Sequence, residues 1–203
     1  MERNEWNEIQ KHLKKTLDIG RYEHTKSVMY TAGCLAMAHG ASVERAMLAG
    51  LLHDCAKCIP NEEKIRLCEK NSIFISNVEY ESPYLLHAKL GAYLAEMEYG
   101  VTDPQILHAI CVHTTGEPDM NVLDKILYIA DYIEPGRDKA PNLEKVRELA
   151  FRDLNACMAQ ILTDTLTYLS CRGGAIDPAT RDTYEFYRKY QEVEINHDIK
   201  RTM

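Results

Sequence analysis

The sequence predicts an all-α fold, a single-domain bundle of about eight to ten helices. Apolar residues recur at spacings of three and four almost throughout the 203 residues, and no window of five or more residues alternates apolar and polar side chains between two turn signals. A chain of this length suits one domain with a sizeable core, and no linker, repeat or low-complexity segment divides it. We therefore expect residues 1–203 to form one domain, with a core over 18–134 and C-terminal helices over 142–192.

Caps and helix breakers set the boundaries in the first half of the chain. The first four helices are expected over about residues 5–17, 22–39, 43–54 and 61–70. Gly40 ends the second helix, and Ser42 is a suitable N-cap for the third. Pro60 separates the third helix from the fourth.

The second half repeats the same start and stop signals. Helices are expected over about residues 83–97, 104–113, 121–134 and 142–171, followed by a final polar helix from residue 178. Pro83 and Pro104 take the first helical position, which proline favours. The segment 142–171 is the longest predicted helix, and Gly173-Gly174 ends it.

Composition excludes several classes of protein. Acidic residues outnumber basic ones 31 to 24, which gives a formal charge of −7, so we expect no nucleic-acid partner. No secretory signal and no apolar run of membrane-spanning length is visible, and the seven cysteines are odd in number, as is usual for free thiols. These features predict a cytoplasmic protein without a membrane partner.

Metal-binding side chains stand at or near the ends of five predicted helices. They are His24, the pair His53-Asp54, His87, His113 and Asp131. Asp54 ends a helix just after the apolar run AMLAGLL, and Asp131 lies within ILYIADYI, so each would bring an unpaired charge into the core unless a cation offsets it. A mixed set of imidazoles and carboxylates suits iron, manganese or zinc better than calcium. The alternative is that the two aspartates cap or bridge helices.

The spacing of these residues resembles the H…HD…D pattern of the HD-domain metal-dependent phosphohydrolases, an all-helical superfamily. Six segments, in order, resemble more narrowly the YqeK-type family of bacterial symmetrical bis(5′-nucleosyl)-tetraphosphatases. They are RYEHT at 21–25, GLLHDCAK at 50–57, LHA at 86–88, HTTG at 113–116, IADYIEP at 129–135 and RGGAID at 172–177. The likeness extends over residues 21–190. Ala56 stands where many HD proteins have glycine, and the Gly-Tyr-Pro element of cyclic-dinucleotide phosphodiesterases is absent.

The resemblance implies a set of metal ligands and catalytic residues. The expected ligands of a divalent metal, with iron preferred and manganese or another transition metal as the alternative, are His24, His53, Asp54 and Asp131. The expected catalytic residues are His53, Asp54, Lys57, His87 and His113. Two roles stay open for His87 and His113, which complete a second metal site or bind phosphate and protonate the leaving group. We favour phosphate binding beside a single metal.

A phosphate and nucleotide site is also implied. Lys57 and Arg137 are placed to concentrate positive charge near the metal, although Arg137 is also well explained as a solvated loop residue. The paired glycines after the longest helix are explained by a helix C-cap as well as by a nucleoside contact. The expected nucleotide- and phosphate-binding residues are Arg21, Asp54, Lys57, His87, His113, Thr114, Asp131, Arg137, Arg172, Gly173, Gly174, Ala175, Ile176 and Asp177.

The function implied is symmetrical hydrolysis of diadenosine tetraphosphate to two ADP. The partners expected are a dinucleoside tetraphosphate substrate and ADP or GDP as product, with a homodimer as a further possibility. Two alternatives stay open. One is another HD-type nucleotidase or nucleoside-triphosphate phosphohydrolase, and the other is a nucleotide-binding regulator without turnover. The remaining histidines, His12, His39, His108 and His197, are expected to be ordinary residues.

Overall fold

The computed structural model describes residues 3–173 and 176–201, and within these ranges it contains eleven α-helices, one 3-10 helix and no strand. The helices are α1 (Arg3–Thr16), α2 (Ile19–Ala38), α3 (Val43–Leu52), α4 (Asn61–Lys70), α5 (Asn77–Glu81), the 3-10 helix (Pro83–Leu86), α6 (His87–Met97), α7 (Pro104–Val112), α8 (Val122–Ile133), α9 (Leu143–Ala150), α10 (Leu154–Arg172) and α11 (Pro178–Arg201). The all-α prediction is confirmed. No helix in the described ranges has both the length and the apolar content needed to cross a bilayer.

Helices α2, α3 and α8 form the centre of the molecule, and α7 and α10 pack around them. The backbones of α2 and α3 approach closely at Gly50, where a Cβ atom would lie 2.8 Å from the Cα of Met29. A residue without a side chain is therefore required at this crossing. The close contact brings the N-terminal half of α2 beside the C-terminal end of α3, so His24 lies near His53 and Asp54.

Start signals in the sequence are confirmed at several helices. The Ser42 hydroxyl accepts a hydrogen bond from the backbone N–H of Arg45 at the start of α3. Pro104 occupies the first turn of α7, where Asp103 is the N-cap. Asn121 caps α8 through the backbone N–H groups of Leu123 and Asp124. These side chains satisfy N–H groups that have no partner within the helix.

The prediction of one long helix over residues 142–171 is wrong, because the helix is interrupted between α9 and α10. The carboxylate of Asp153 accepts hydrogen bonds from the N–H groups of Asn155 and Ala156 at 2.8 and 3.1 Å. Its backbone is extended, with φ −149° and ψ 106°. Aspartate competes with the helix for these donors, so a new helix begins instead of the old one continuing. The break lets α10 pack on both α9 and α8.

The segment before His87 also differs from the expectation. Pro83 begins a 3-10 helix that ends at Leu86, and α6 begins only at His87. The short helix α5, which the sequence analysis missed, is stabilised by a capping box between Ser76 and Glu79. His87 therefore stands at the beginning of a helix, above the turn formed by Tyr84 and its neighbours.

The C-terminal helix α11 packs on α10 and also contacts the turn that follows α7. Gly116 in this turn has φ +68°, and a Cβ atom there would lie 2.8 Å from Cγ2 of Thr183. Both the left-handed conformation and the close approach favour glycine at this position. The first turns of α11 are thereby held beside the segment that carries His113 and Thr114.

Candidate functional site

Three buried histidines make the same contact with the backbone. Each places its Nδ1 atom against the carbonyl oxygen of the residue three positions earlier: His53 on Gly50 at 2.7 Å, His87 on Tyr84 at 2.6 Å and His113 on Ile110 at 2.7 Å. A carbonyl oxygen only accepts hydrogen bonds, so Nδ1 carries the proton in each ring. The lone pair then lies on Nε2, and the three Nε2 atoms point into one shared space.

His24, on α2, enters the same space from the other side. Its Nδ1 lies 3.2 Å from Oε1 of Glu134, and its Nε2 lies 3.0 Å from Oδ1 of Asp131. The ring centroids of His24 and His53 are 5.5 Å apart, and those of His53 and His113 are 5.1 Å apart. Glu134 was not among the residues that the sequence predicted for the site.

Asp54 occupies the middle of the cluster, and its carboxylate has two different sides. The Oδ2 atom lies 3.4 Å from Nε2 of His53 and 3.9 Å from Nε2 of His24. The Oδ1 atom lies 3.2 Å from Nε2 of His87 and 3.8 Å from Nε2 of His113. Its side chain is 2% exposed.

Asp131 is less buried than the sequence analysis expected. Its side chain is 26% exposed, although its neighbours along α8 are apolar and buried. The expectation of a buried carboxylate therefore holds for Asp54 and only in part for Asp131. The reason is position, because Asp131 lies near the C-terminal end of α8, at the mouth of the cluster.

The arrangement of the donor atoms fits a divalent cation. His24 Nε2, His53 Nε2 and Asp54 Oδ1 are buried and have no hydrogen-bond partner. Ligand atoms of two residue sets, His24/His53/Asp131 and His53/Asp54/His113, lie within 4.8 Å of one another. Unpartnered lone pairs in a buried space are costly, and a cation removes that cost. The imidazole and carboxylate donors are those that transition metals prefer.

Two histidines of the cluster are held in the protonation state that metal ligation requires. Burial lowers the pKa of His113 to about 4, and burial together with His113 and Lys57 lowers the pKa of His87 well below its ordinary value. Both rings are therefore neutral at pH 7, the form that binds metals. Burial acts to raise the pKa of Asp54, but His53 and Lys57 outweigh it, so this pKa lies well below the ordinary value.

Basic groups surround the carboxylates. Arg21 donates a hydrogen bond of 2.7 Å to Oδ2 of Asp54. Arg137 donates to the carboxylate of Asp131 at 3.2 Å and to its carbonyl at 2.9 Å. The ammonium of Lys57 lies 3.5 Å from Oδ1 of Asp54 and 3.0 Å from Nε2 of His87. Arg137 thus contacts Asp131, although 40% of its side chain stays exposed.

Ten of the residues predicted for the site lie together in the structure. They are Arg21, His24, His53, Asp54, Lys57, His87, His113, Thr114, Asp131 and Arg137. The Oγ1 atom of Thr114 lies 3.2 Å from Nε2 of both His87 and His113. Sequence order alone could not show this, because the ten residues come from five helices and the turns beside them.

The predicted nucleoside loop is only partly described. Gly173 has φ +70° and ends α10, and Asp177 caps α11 by accepting a hydrogen bond from the N–H of Ala179. Ile176 is half-buried. Gly174, Ala175 and the side chain of Arg172 lie outside the described residues. The expected contact of this loop with a nucleoside stays a prediction.

A signal for Glu134 was present in the sequence. It follows Asp131 by three residues and comes directly after the last residue of α8, so both side chains lie at the C-terminal end of this helix. The acidic pair flanks His24, with one carboxylate against each ring nitrogen. A second carboxylate at this spacing indicates a partner for a metal-binding histidine.

Comparison with known protein families identifies the fold of this site. The family model described as the HD domain matches residues 21–136, which is more than half of the chain and contains all four expected metal ligands. The chain belongs to the HD-domain family.

Known HD-domain relatives extend over nearly the whole chain. The symmetrical bis(5′-nucleosyl)-tetraphosphatase of Bacillus subtilis is 40% identical over 174 residues, covering 86% of this chain and 92% of that protein. The protein of the same name in Staphylococcus aureus is 31% identical over 187 residues, covering 91% of this chain and 95% of that protein. The chain therefore also belongs to the family of these tetraphosphatases.

A crystal structure from Clostridium acetobutylicum shows the same fold. That protein is described as a predicted HD superfamily hydrolase involved in NAD metabolism. The two structures superpose with a TM-score of 0.88 at 36% sequence identity, covering 91% of this chain and 97% of the other. The HD fold of this chain thus includes the helices that follow the matched domain.

Proposed function

We propose that this HD-domain protein is a metal-dependent hydrolase that splits diadenosine tetraphosphate symmetrically into two ADP, and related dinucleoside tetraphosphates likewise, with GDP formed from the guanine analogue. The observation that carries the proposal is the convergence of unpartnered donor atoms from His24, His53 and Asp54 beside Asp131. This cluster lies within a chain that is 40% identical, over most of its length, to a tetraphosphatase.

The residues that would hold a metal divide into two groups around Asp54. On one side, His24 and His53 face its Oδ2 atom, and Asp131 lies 3.0 Å from Nε2 of His24. When bound, a divalent metal lowers the pKa of a coordinated water and polarises a phosphoryl oxygen. We propose iron as this metal, because two imidazoles and two carboxylates form a donor set that suits it.

On the other side of Asp54, the geometry favours metal ligation over phosphate binding for His87 and His113. Their Nε2 atoms carry lone pairs and lie 3.2 Å apart. Phosphate oxygens also carry only lone pairs, so neutral rings held in this tautomer do not bind them. We therefore propose that Asp54, His87 and His113 would hold a second metal, beside the single metal that the sequence analysis favoured. Metal analysis should give about two equivalents per chain, and one equivalent would contradict this.

Phosphate binding is supported by nearby side chains that donate hydrogen bonds. The side chains of Arg21 and Arg137 are 32% and 40% exposed at the mouth of the cluster, and a guanidinium binds phosphate through two parallel hydrogen bonds. The Lys57 ammonium and the Thr114 hydroxyl hold donors beside His87. These groups would orient the tetraphosphate and stabilise the charge that develops on the leaving nucleoside diphosphate.

We propose that the C-terminal helices complete the pocket for the nucleoside. Thr183 of α11 lies against Gly116, two residues after Thr114. The beginning of α11 is therefore close to the turn that carries His113 and Thr114. The loop of residues 172–177 leads into this helix. The core over 18–134 would thus carry the chemistry, and the segment 142–192 would add the nucleoside contacts.

Chromatography of the products tests the proposed function. The purified protein, loaded with Fe²⁺ or Mn²⁺, should convert diadenosine tetraphosphate to ADP alone. Formation of ATP and AMP would contradict symmetrical cleavage. Rapid hydrolysis of mononucleotides with an inert tetraphosphate would favour a nucleotidase, and tight binding of the tetraphosphate without products would favour a regulator.

A further inference from the structure

Glu134 contacts His24 but has no direct part in the proposed reaction. The residue is 4% exposed, and its Oε1 atom accepts the Nδ1–H of His24 at 3.2 Å. Its Oε2 atom accepts the backbone N–H of Gly136 at 2.6 Å, and the Ser27 hydroxyl also hydrogen-bonds the carboxylate. Both oxygens therefore face donors only.

His24 is held differently from the other three histidines of the site. Those three donate to neutral backbone carbonyls of their own helical turn. His24 donates instead to a carboxylate 110 residues away in sequence. A charged acceptor makes a stronger hydrogen bond, fixes the ring more firmly in the Nδ1–H tautomer and increases the electron density on Nε2.

The surroundings of Glu134 keep its carboxylate in place. A Cβ atom on Gly136 would lie 3.0 Å from Oε2, so a residue without a side chain leaves room for the carboxylate. Arg147 donates to three carbonyls at and just beyond the end of α8, those of Ile133, Glu134 and Arg137, at 2.9 to 3.1 Å. The end of α8 is thus a rigid support for the contact with His24.

We propose that Glu134 is a positioning residue of the metal centre, which acts through His24 by holding its Nε2 lone pair toward Asp131 and Asp54. This inference rests on the metal site proposed above. It assigns to the C-terminal end of α8 two separate tasks, since Asp131 would bind the metal and Glu134 would orient a ligand from α2.

Glu134→Gln is the direct test, because the carboxamide cannot satisfy both contacts. If its oxygen keeps the N–H of Gly136, its NH₂ group faces Nδ1 of His24 and favours the tautomer with the proton on Nε2, where the metal ligand atom should be. The dissociation constant for Mn²⁺ should therefore rise by about 10- to 100-fold. Glu148→Gln, which removes a charge from an exposed ion pair with Arg152, is the matched control and should leave the dissociation constant for Mn²⁺ unchanged.

A second measurement needs no variant. In the wild-type protein loaded with Zn²⁺ as a diamagnetic probe, the Nδ1–H proton of His24 should be visible by NMR and lie downfield of the other imidazole protons. Absence of this proton would overturn the proposal. So would a folded Glu134→Gln protein whose Mn²⁺ affinity stays within about twofold of the wild type, against the loss typical of such partners. If the wild type binds no metal, the proposed function and this inference both fail, whereas hydrolysis with unchanged affinity in the variant refutes only the inference.

Discussion

At the residue scale, hydrogen bonds donated by Nδ1–H explain how four histidines can meet in one buried space. Each ring has its proton on the outside and its lone pair on the inside. The sequence predicted which histidines take part, because they occur at helix ends together with Asp54 and Asp131. It could not predict the acceptors, since backbone carbonyls such as that of Gly50 have no residue-specific pattern.

One histidine outside the site forms a separate ion-pair cluster. His108, on α7, lies 3.0 Å from Glu117 through Nε2 and 3.1 Å from the buried Asp124 through Nδ1. Burial acts to lower the pKa of His108, but the hydrogen bonds and charges of Asp124 and Glu117 outweigh it and raise the pKa above 6.5. The cluster joins α7 to the beginning of α8.

His108→Gln should therefore destabilise the protein more in acid than in base. Because the pKa of His108 is higher in the folded protein than in the unfolded chain, its contribution is complete below about pH 6.5 and is lost as the pH rises through the folded value. A partly exposed ion pair contributes up to about 1 kcal/mol, or about 2–4 °C in Tm for a chain of this size. Thermal unfolding at pH 6 and at pH 9 measures this. A larger loss at pH 9 would contradict the pairing.

At the scale of the helices, the crossing of α2 and α3 determines the distance between His24 and Asp54. A Cβ atom at Gly50 would lie 2.8 Å from a backbone atom of Met29, which cannot move without shifting the helix. Gly91, in the interior of α6, has no atom closer than 3.5 Å to the equivalent position. The two glycines thus form a matched pair for substitution.

Gly50→Ala should lower the free energy of unfolding by about 1–3 kcal/mol, because overpacking at a backbone contact separates the two helices. Metal affinity should fall as well, since ligands on α2 and α3 move apart. Gly91→Ala should be neutral or stabilising by up to about 1 kcal/mol, because alanine favours a helix interior. Denaturant unfolding and metal titration of both variants provide the measurement, and equal effects at the two positions would refute the helix-crossing explanation.

Helix ends marked by glycine, proline or a capping residue were predicted from sequence, and the break between α9 and α10 was not. Residues 151–153 contain neither glycine nor proline. The break depends on Asp153, and an aspartate in the middle of an apolar periodic segment has the same appearance in sequence whether it caps a helix or lies on its surface. Tertiary packing of α10 against α8 decides between the two.

Asp153→Ala should cost about 1 kcal/mol of stability, because two N–H groups at the beginning of α10 lose their acceptor. Arg152→Ala is the neighbouring control. Its exposed ion pair with Glu148 contributes little, so its loss should cost less than about 0.5 kcal/mol. Urea unfolding distinguishes the two. If Asp153→Ala is as stable as the wild type, the cap does not explain the break.

At the scale of the whole molecule, a chain with a formal charge of −7 presents a local basic site. Arg21, Lys57 and Arg137 come from three separate segments and meet around two aspartates. Composition correctly indicated an acidic protein, but it could not show where the basic groups collect. Local sign, rather than net charge, determines whether a polyphosphate binds.

Metal binding should stabilise the entire fold, because the ligands come from helices that pack together only in the native state. At a metal concentration of about 100 times Kd the folded state gains about 2.7 kcal/mol, so Tm should rise by about 5–10 °C. Thermal unfolding with and without added Mn²⁺ measures this rise. His53→Asn should show a much smaller rise, and an equal rise in the variant would place the metal elsewhere.

The most direct test of the proposed metal-dependent hydrolysis is the rate of ADP formation from diadenosine tetraphosphate as metal is returned to the stripped protein. For the wild type, the rate should increase in proportion to bound metal and stop increasing when the site is full. Asp54→Asn should stay below about a thousandth of the wild-type rate, since the residue between both groups of ligands is lost. An undiminished rate in the metal-free wild type, or in Asp54→Asn, would contradict the proposed function.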